Sequence, residues 1–241
     1  MHRNELSIAT ITWARDEEEE KLLRKSVEQL GKLDIRVFIT DGGSNTGFLE
    51  FLRGFPQFVL AEAKTSGLWA QAKSSLLKAY ESGSAFILYT EPDKYQFFSN
   101  GLKPMFDGLI VDDQTGIITA SRSVAGLASF PAFQQMTETT INNCCAEITG
   151  HQYDYSYGPF LMNRQLIPYL LQLQEEIGWG WRPFCFVAAH RLGYRLEEWI
   201  SDFLCPAEQQ EDNPIERVYR MHQLSQSVKG IVLATSIPLN V

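Results

Sequence analysis

The sequence predicts an α/β protein with a mostly parallel sheet flanked by helices and a helical C-terminal region. Three observations lead there. Short apolar runs alternate with helix-period stretches through the first hundred residues, the pattern of successive βαβ units. The run Ala85-Phe86-Ile87-Leu88-Tyr89 is continuous rather than alternating, as in a strand covered on both faces. The connections are short, and right-handed crossovers then bring the carboxyl ends of the parallel strands to one edge.

Each element has its own signal. Leu6 to Trp13 mixes β-branched and apolar residues and predicts a first strand. The acidic stretch Ala14 to Glu20 is a loop or helix start, followed by Leu22, Leu23, Ser26, Val27 and Leu30 at helical spacing. Ile35 to Thr40 is a second strand that runs into the turn Asp41-Gly42-Gly43-Ser44. A helix begins at Phe48, a strand covers 58–60, and Gly67 to Ala79 forms an amphipathic helix before the central strand. Beyond it, helices are expected over 96–108 and Met136 to Ile148, with a strand at Gly116 to Ala120 and few signals over 121–135. Phe160-Leu161-Met162 is a short strand and Gln165 to Ile177 a helix. Trp179 to Phe184 reads as an interruption before a helix over Phe186 to Arg191. Arg195 to Ile200 is a strand, and Asp212 to Lys229 a last helix.

Composition narrows the function classes. A net charge of −8 and a pI near 5.1 argue against a nucleic-acid surface, which needs a basic patch. The four cysteines, Cys144, Cys145, Cys185 and Cys205, show no CxxC spacing, so reduced thiols in a cytoplasmic protein are expected. No stretch approaches the roughly 20 apolar residues of a membrane span, and the N-terminus lacks the apolar segment of a signal peptide. Oligomeric state is not legible.

The chemistry concentrates where the central run ends. Pro92 cannot continue an interior ladder, so that strand should end by Glu91. Glu91 and Asp93 then stand two residues apart at a strand's carboxyl end, where open α/β sheets bind ligands. Two carboxylates this close repel unless a cation lies between them. Hard oxygen ligands suit Mn²⁺ or Mg²⁺, which bind through one or two carboxylates plus substrate phosphates.

Five segments together resemble the GT-A fold of glycosyltransferases, and especially its family 2-like members: Thr12-Trp13-Ala14-Arg15, Asp41-Gly42-Gly43-Ser44, Gly67 to Lys73, Glu91-Pro92-Asp93 and Tyr157-Gly158-Pro159-Phe160-Leu161-Met162-Asn163-Arg164. The resemblance covers roughly residues 5 to 200 and implies one GT-A-like domain over 1–241, with a nucleotide-binding half (1–120) and a sugar and acceptor half (121–241). It implies that Thr12 and Arg15 line base and ribose. The Asp41, Gly42 and Ser44 turn would hold the base, and Gly67 and Lys73 the diphosphate. Glu91 and Asp93 would bind the ion, with Glu91 also at the donor, and Tyr157 and Gly158 would line the sugar. Asp154 and Tyr155 are further candidates for sugar hydroxyls, and Trp179 and Trp181 for an acceptor platform or plain packing.

The sequence also departs from that pattern. The first acid of the family's D-x-D is Glu91, and the usual E-D pair carrying the base is replaced by Trp179-Gly180-Trp181-Arg182-Pro183. Asp154, Glu175 and Glu176 are the remaining base candidates, since a base must lie within about 3 Å of its proton or one water away. Several retaining GT-A transferases that act on small acids take a third metal ligand from a C-terminal histidine, and the resemblance makes His222 the candidate here. The expected activity is metal-dependent transfer from a nucleoside-diphosphate sugar to a small-molecule, glycan or lipid-linked acceptor. The alternatives are a non-catalytic descendant that binds a nucleotide-sugar or a protein partner and, ranked lower, a sugar-nucleotide pyrophosphorylase. The latter would carry glycines and basic residues where this chain has Trp13 to Glu18.

Overall fold

The computed structural model describes residues 5–173, 176–210, 212–236 and 238. The chain is mixed α/β with mostly parallel strands flanked by helices, as expected. It divides into two compact units, residues 1–112 with 159–167, and residues 113–158 with 168–241.

The first unit carries β1 (Leu6–Thr12), α1 (Glu17–Gly31), β2 (Val37–Asp41), α2 (Thr46–Arg53), β3 (Phe58–Ala61), α3 (Leu68–Glu81) and β4 (Phe86–Tyr89). Strands β3, β2, β1 and β4 lie side by side and parallel. Thr12 pairs with Asp41 and Ala9 with Tyr89, so β1, β2 and β4 end on one rim. All four residues of β4 are buried, which is why its sequence shows no alternation. The acidic stretch is a helix start: the Asp16 carboxylate accepts from the amides of Glu18 and Glu19 and caps α1. After β4 comes a helix over the expected stretch, but it opens with a π-helical turn, Phe97–Gly101, before α4 (Leu102–Gly108).

The second unit holds β5 (Thr115–Arg122), α5 (Val124–Ala128) and α6 (Ala132–Thr149). The strand of Phe160–Asn163 that follows in sequence, β6, belongs to the first unit and pairs antiparallel with β4, Phe160 opposite Tyr89. Next come α7 (Ile167–Leu170), α8 (Trp181–Arg191), β7 (Arg195–Ser201), parallel to β5, and α9 (Pro214–Ser236), which packs on α6 and α8.

Three sequence expectations shift. The stretch 121–135 contains α5, capped by the Ser123 hydroxyl accepting from the Gly126 amide, and the start of α6 after Pro131. The long helix expected over 165–177 is interrupted: residues 171–173 are not helical. Among the described residues of that stretch only a 3-10 turn, Arg164–Leu166, and α7 are present, and the chain tightens where Leu173 N–H donates to the Leu170 carbonyl. Leu166, Ile167, Leu170, Leu173 and Ile177 are still buried; their spacing served burial without a regular helix. Conversely, α8 begins at Trp181 instead of Phe186, with Pro183 in its first turn, where the missing N–H has no intrahelical partner to lose.

Candidate functional site

The exits of β1 and β2 are tied together by one carboxylate. Asp41 Oδ2 accepts from the Thr12 hydroxyl at 2.8 Å and the Ser44 hydroxyl at 2.7 Å. Its Oδ1 accepts from the amides of Gly43 at 2.8 Å and Ser44 at 2.7 Å. The Ser44 oxygen in turn accepts from the Ala14 amide at 2.7 Å. Asp and Ser shape turns by bonding to backbone a few residues on, and Gly43, at φ +120°, takes the conformation that turn needs. The sequence reading gave Thr12 and Arg15 to the nucleotide. Thr12 is buried with its hydroxyl engaged by Asp41, and the Arg15 side chain pairs with Glu19. Trp13 and Arg15 are both exposed on this rim, Trp13 at 52%.

At the exit of β4, Thr90 N–H donates to Ala9 O and the Thr10 hydroxyl to Thr90 O at 2.8 Å, which fixes where the strand leaves the sheet. Pro92 and Asp93 then form a turn. Glu91 is buried, with both carboxylate oxygens withdrawn from solvent; Asp93 is half-buried, with Lys94 Nζ 3.6 Å from its Oδ2. Two hard oxygen donors at a strand's carboxyl end fit a Mg²⁺ or Mn²⁺ site that substrate phosphates complete. Among the described residues no group of three or more His, Cys, Asp or Glu is placed to hold a metal. Gly67 caps α3 at φ +124° with no side-chain cap bond. Lys73 lies 5.9 Å from the ring of Trp69, which is buried and packs in the core.

The second unit corrects several expectations. Asp154 is a buried anchor. Arg122 Nε and Nη2 donate to its two oxygens at 2.7 and 3.0 Å, and the Asn142 amide and Ser156 hydroxyl add two more bonds. Arg122 also pairs with Glu138 at 2.6 Å and lies 4.6 Å from the Phe130 ring centroid. Burial alone would raise the Asp154 pKa, but the Arg122 charge outweighs it and holds the carboxyl at about 2. A carboxylate this weakly basic, with both oxygens engaged, is unsuited to proton abstraction near neutral pH. Tyr155 donates to the His151 carbonyl, and Tyr157 stacks on Phe203 at 4.8 Å; both are buried and pack rather than line an open sugar pocket. Gly158, at φ +134°, turns the chain into β6.

Glu176 is exposed and accepts from the Gly178 amide. Glu175 lies outside the described residues. His222 is exposed on α9. Trp181 is fully buried, and Trp179 donates to the Tyr219 hydroxyl at 3.1 Å.

With this geometry in view, the fold has solved counterparts. The chain is similar to crystal structures of glucosyl-3-phosphoglycerate synthase from Mycobacterium tuberculosis. The complex with Mn²⁺, UDP-glucose and phosphoglyceric acid matches over 96% of this chain and 80% of that one, with a TM-score of 0.65 and 11% identity. The complex with UDP matches over 96% and 81%, with a TM-score of 0.65 and 12% identity. No family model matches the chain, and no curated protein matches it. Identity this low establishes the fold alone, and that fold is the GT-A glycosyltransferase fold.

Proposed function

We propose that the protein is a divalent-metal-dependent glycosyltransferase that moves a sugar from a nucleoside-diphosphate sugar to a small-molecule acceptor. One observation carries the reading: in this fold, Glu91 and Asp93 stand where the central strand β4 leaves the sheet, the position at which open α/β sheets bind ligands. The Gly67 start of α3 adds a helix N-terminus suited to phosphate oxygens. The solved counterparts were crystallised with Mn²⁺, UDP-glucose or UDP, and phosphoglyceric acid, which makes UDP-glucose with Mn²⁺ the first donor and metal to test, and a small anionic acid the first acceptor. Mg²⁺ suits the same oxygen donors. The ion would neutralise charge on the departing diphosphate. Four cysteines outside any disulfide fit a reducing compartment, so we place the protein in the cytoplasm; no helix among the described residues is long and apolar enough to cross a membrane.

Titration calorimetry of UDP, GDP and ADP, each with and without Mn²⁺, tests the reading. Metal-dependent binding of one nucleotide, together with hydrolysis or transfer of its sugar conjugate, is the expected result. Asp93→Ala should abolish the Mn²⁺-dependent part of binding and the turnover; unchanged values refute the assignment. A non-catalytic nucleotide-sugar binder is the second reading. It is favoured by the sequestration of Asp154, the base candidate that the ion pair with Arg122 removes. Metal-dependent binding with no turnover would select it.

A further inference from the structure

We propose that Lys94 is a built-in counter-ion for Asp93 that couples the divalent ion to the diphosphate. It holds the carboxylate before the ion arrives and passes to a phosphate oxygen once the ion has displaced it. The inference rests on the metal-dependent nucleotide-sugar reading above and gives a role to a residue that reading leaves out.

Lys94 directly follows Asp93 at the exit of β4. Its Nζ lies 3.6 Å from Asp93 Oδ2, and its side chain is only 17% exposed, against 31% for Asp93. Lysines mostly stand out in solvent, so the covering of this one keeps its charge beside the acid. The backbone beneath the pair is fixed. Tyr95 N–H donates to the Asp93 carbonyl at 2.9 Å, and Phe98 N–H to the Lys94 carbonyl at 3.0 Å. Lys25 Nζ lies 4.4 Å from the Tyr95 ring centroid, so the segment just after the two acids gathers two cations.

The contact is built to be exchanged. A strong charge-assisted hydrogen bond spans about 2.7–2.9 Å; at 3.6 Å the pair is held by charge alone. An ammonium is a compact charge on a flexible four-carbon stem, so it leaves by rotating single bonds while the helix start stays in place. A divalent ion on Glu91 and Asp93 competes for the same oxygen. Once bound it repels an ammonium a few ångströms away, and screening is weak beside a buried carboxylate.

Two effects of opposite sign follow. Lys94 weakens the binding of the ion alone. A diphosphate reverses the balance, because its oxygens complete the shell of the ion and give the displaced ammonium a new partner. Ion and diphosphate therefore bind better together than apart, and the coupling acts equally in both directions.

The test follows Mn²⁺ binding to the full chain by the electron paramagnetic resonance of the free ion, with and without inorganic pyrophosphate. Lys94→Met keeps the length of the stem and removes its charge. It should bind Mn²⁺ alone about tenfold more tightly, equivalent to about 1.4 kcal/mol. The tightening that pyrophosphate brings should shrink about tenfold. Lys94→Arg keeps the charge and should behave as the parent chain does. Lys103→Met removes an 80% exposed lysine that pairs with Asp107, so it controls for net charge and should alter neither value.

Mn²⁺ affinity that is unchanged or weaker in Lys94→Met overturns the inference and leaves the metal reading standing. An undiminished effect of pyrophosphate also overturns it, as does the same gain in Lys103→Met. A parent chain that binds no Mn²⁺, with or without pyrophosphate, overturns the metal reading, and this inference with it.

Discussion

Two carboxylates illustrate how residue chemistry is set by neighbours. Asp154 and Asp41 are both expected from sequence to face a ligand, and both are held by intramolecular donors in the structure. For Asp154 this has a measurable acid signature. Its folded pKa of about 2 lies below the ordinary value of 3.8. The stability it contributes is present above the unfolded pKa and is lost as pH falls through the folded one, so the window runs from about pH 4 down to 2. That shift corresponds to roughly 2 kcal/mol. Chemical denaturation across that range should show the loss, and Asp154→Asn should flatten it. Arg122→Ala, which strands Glu138 and Asp154 without their buried cation, should cost roughly 3–5 kcal/mol. What sequence conveyed at this scale was residue type in the right neighbourhood. Whether an acid faces a ligand or a buried arginine depends on Arg122, 32 residues away in the chain, and spacing carries no trace of that pairing.

At the level of elements, strands and long amphipathic helices were legible because burial imposes a period on them. The central strand is legible almost to the residue, since β4 is buried on every side chain; it ends at Tyr89, three residues ahead of Pro92. The helix expected over 165–177 is cut short after α7, because the same spacing of apolar residues also suits the turn in which Leu173 N–H bonds the Leu170 carbonyl. Nor did spacing reveal how closely α9 approaches the chain before α8. A Cβ added at Gly230 would collide with the backbone carbonyl of Gly180, and one at Gly180 with the Gln226 backbone. Overpacking of this kind typically costs about 1–3 kcal/mol, and backbone cannot swing aside as a side chain can. Gly230→Ala should therefore lower the melting temperature clearly, whereas Gly108→Ala, where an added Cβ meets nothing within 4 Å, should leave it nearly unchanged.

For the whole molecule, the informative fact is how the chain is shared between its units. The first unit takes residues 1–112 and then one later piece, 159–167, which contains β6. Removing that piece would bare the β4 edge of an otherwise parallel arrangement, and unpaired apolar edges template aggregation. A fragment ending at residue 112 should accordingly be found in aggregates by size-exclusion chromatography. The sequence signalled the strand at 160–162 but not its partner or direction, which are set by pairing across the fold.

The late arrival of β6 bears on biogenesis. A ribosome releases a chain from its amino terminus at about 5–20 residues per second, and domains commonly fold as they emerge. Here the amino-terminal unit must wait for residues encoded beyond position 158 before β4 gains its antiparallel neighbour. During that interval the β4 edge of the nascent chain stands without the neighbour that covers it in the finished fold, and an open apolar edge is a template for pairing with other chains.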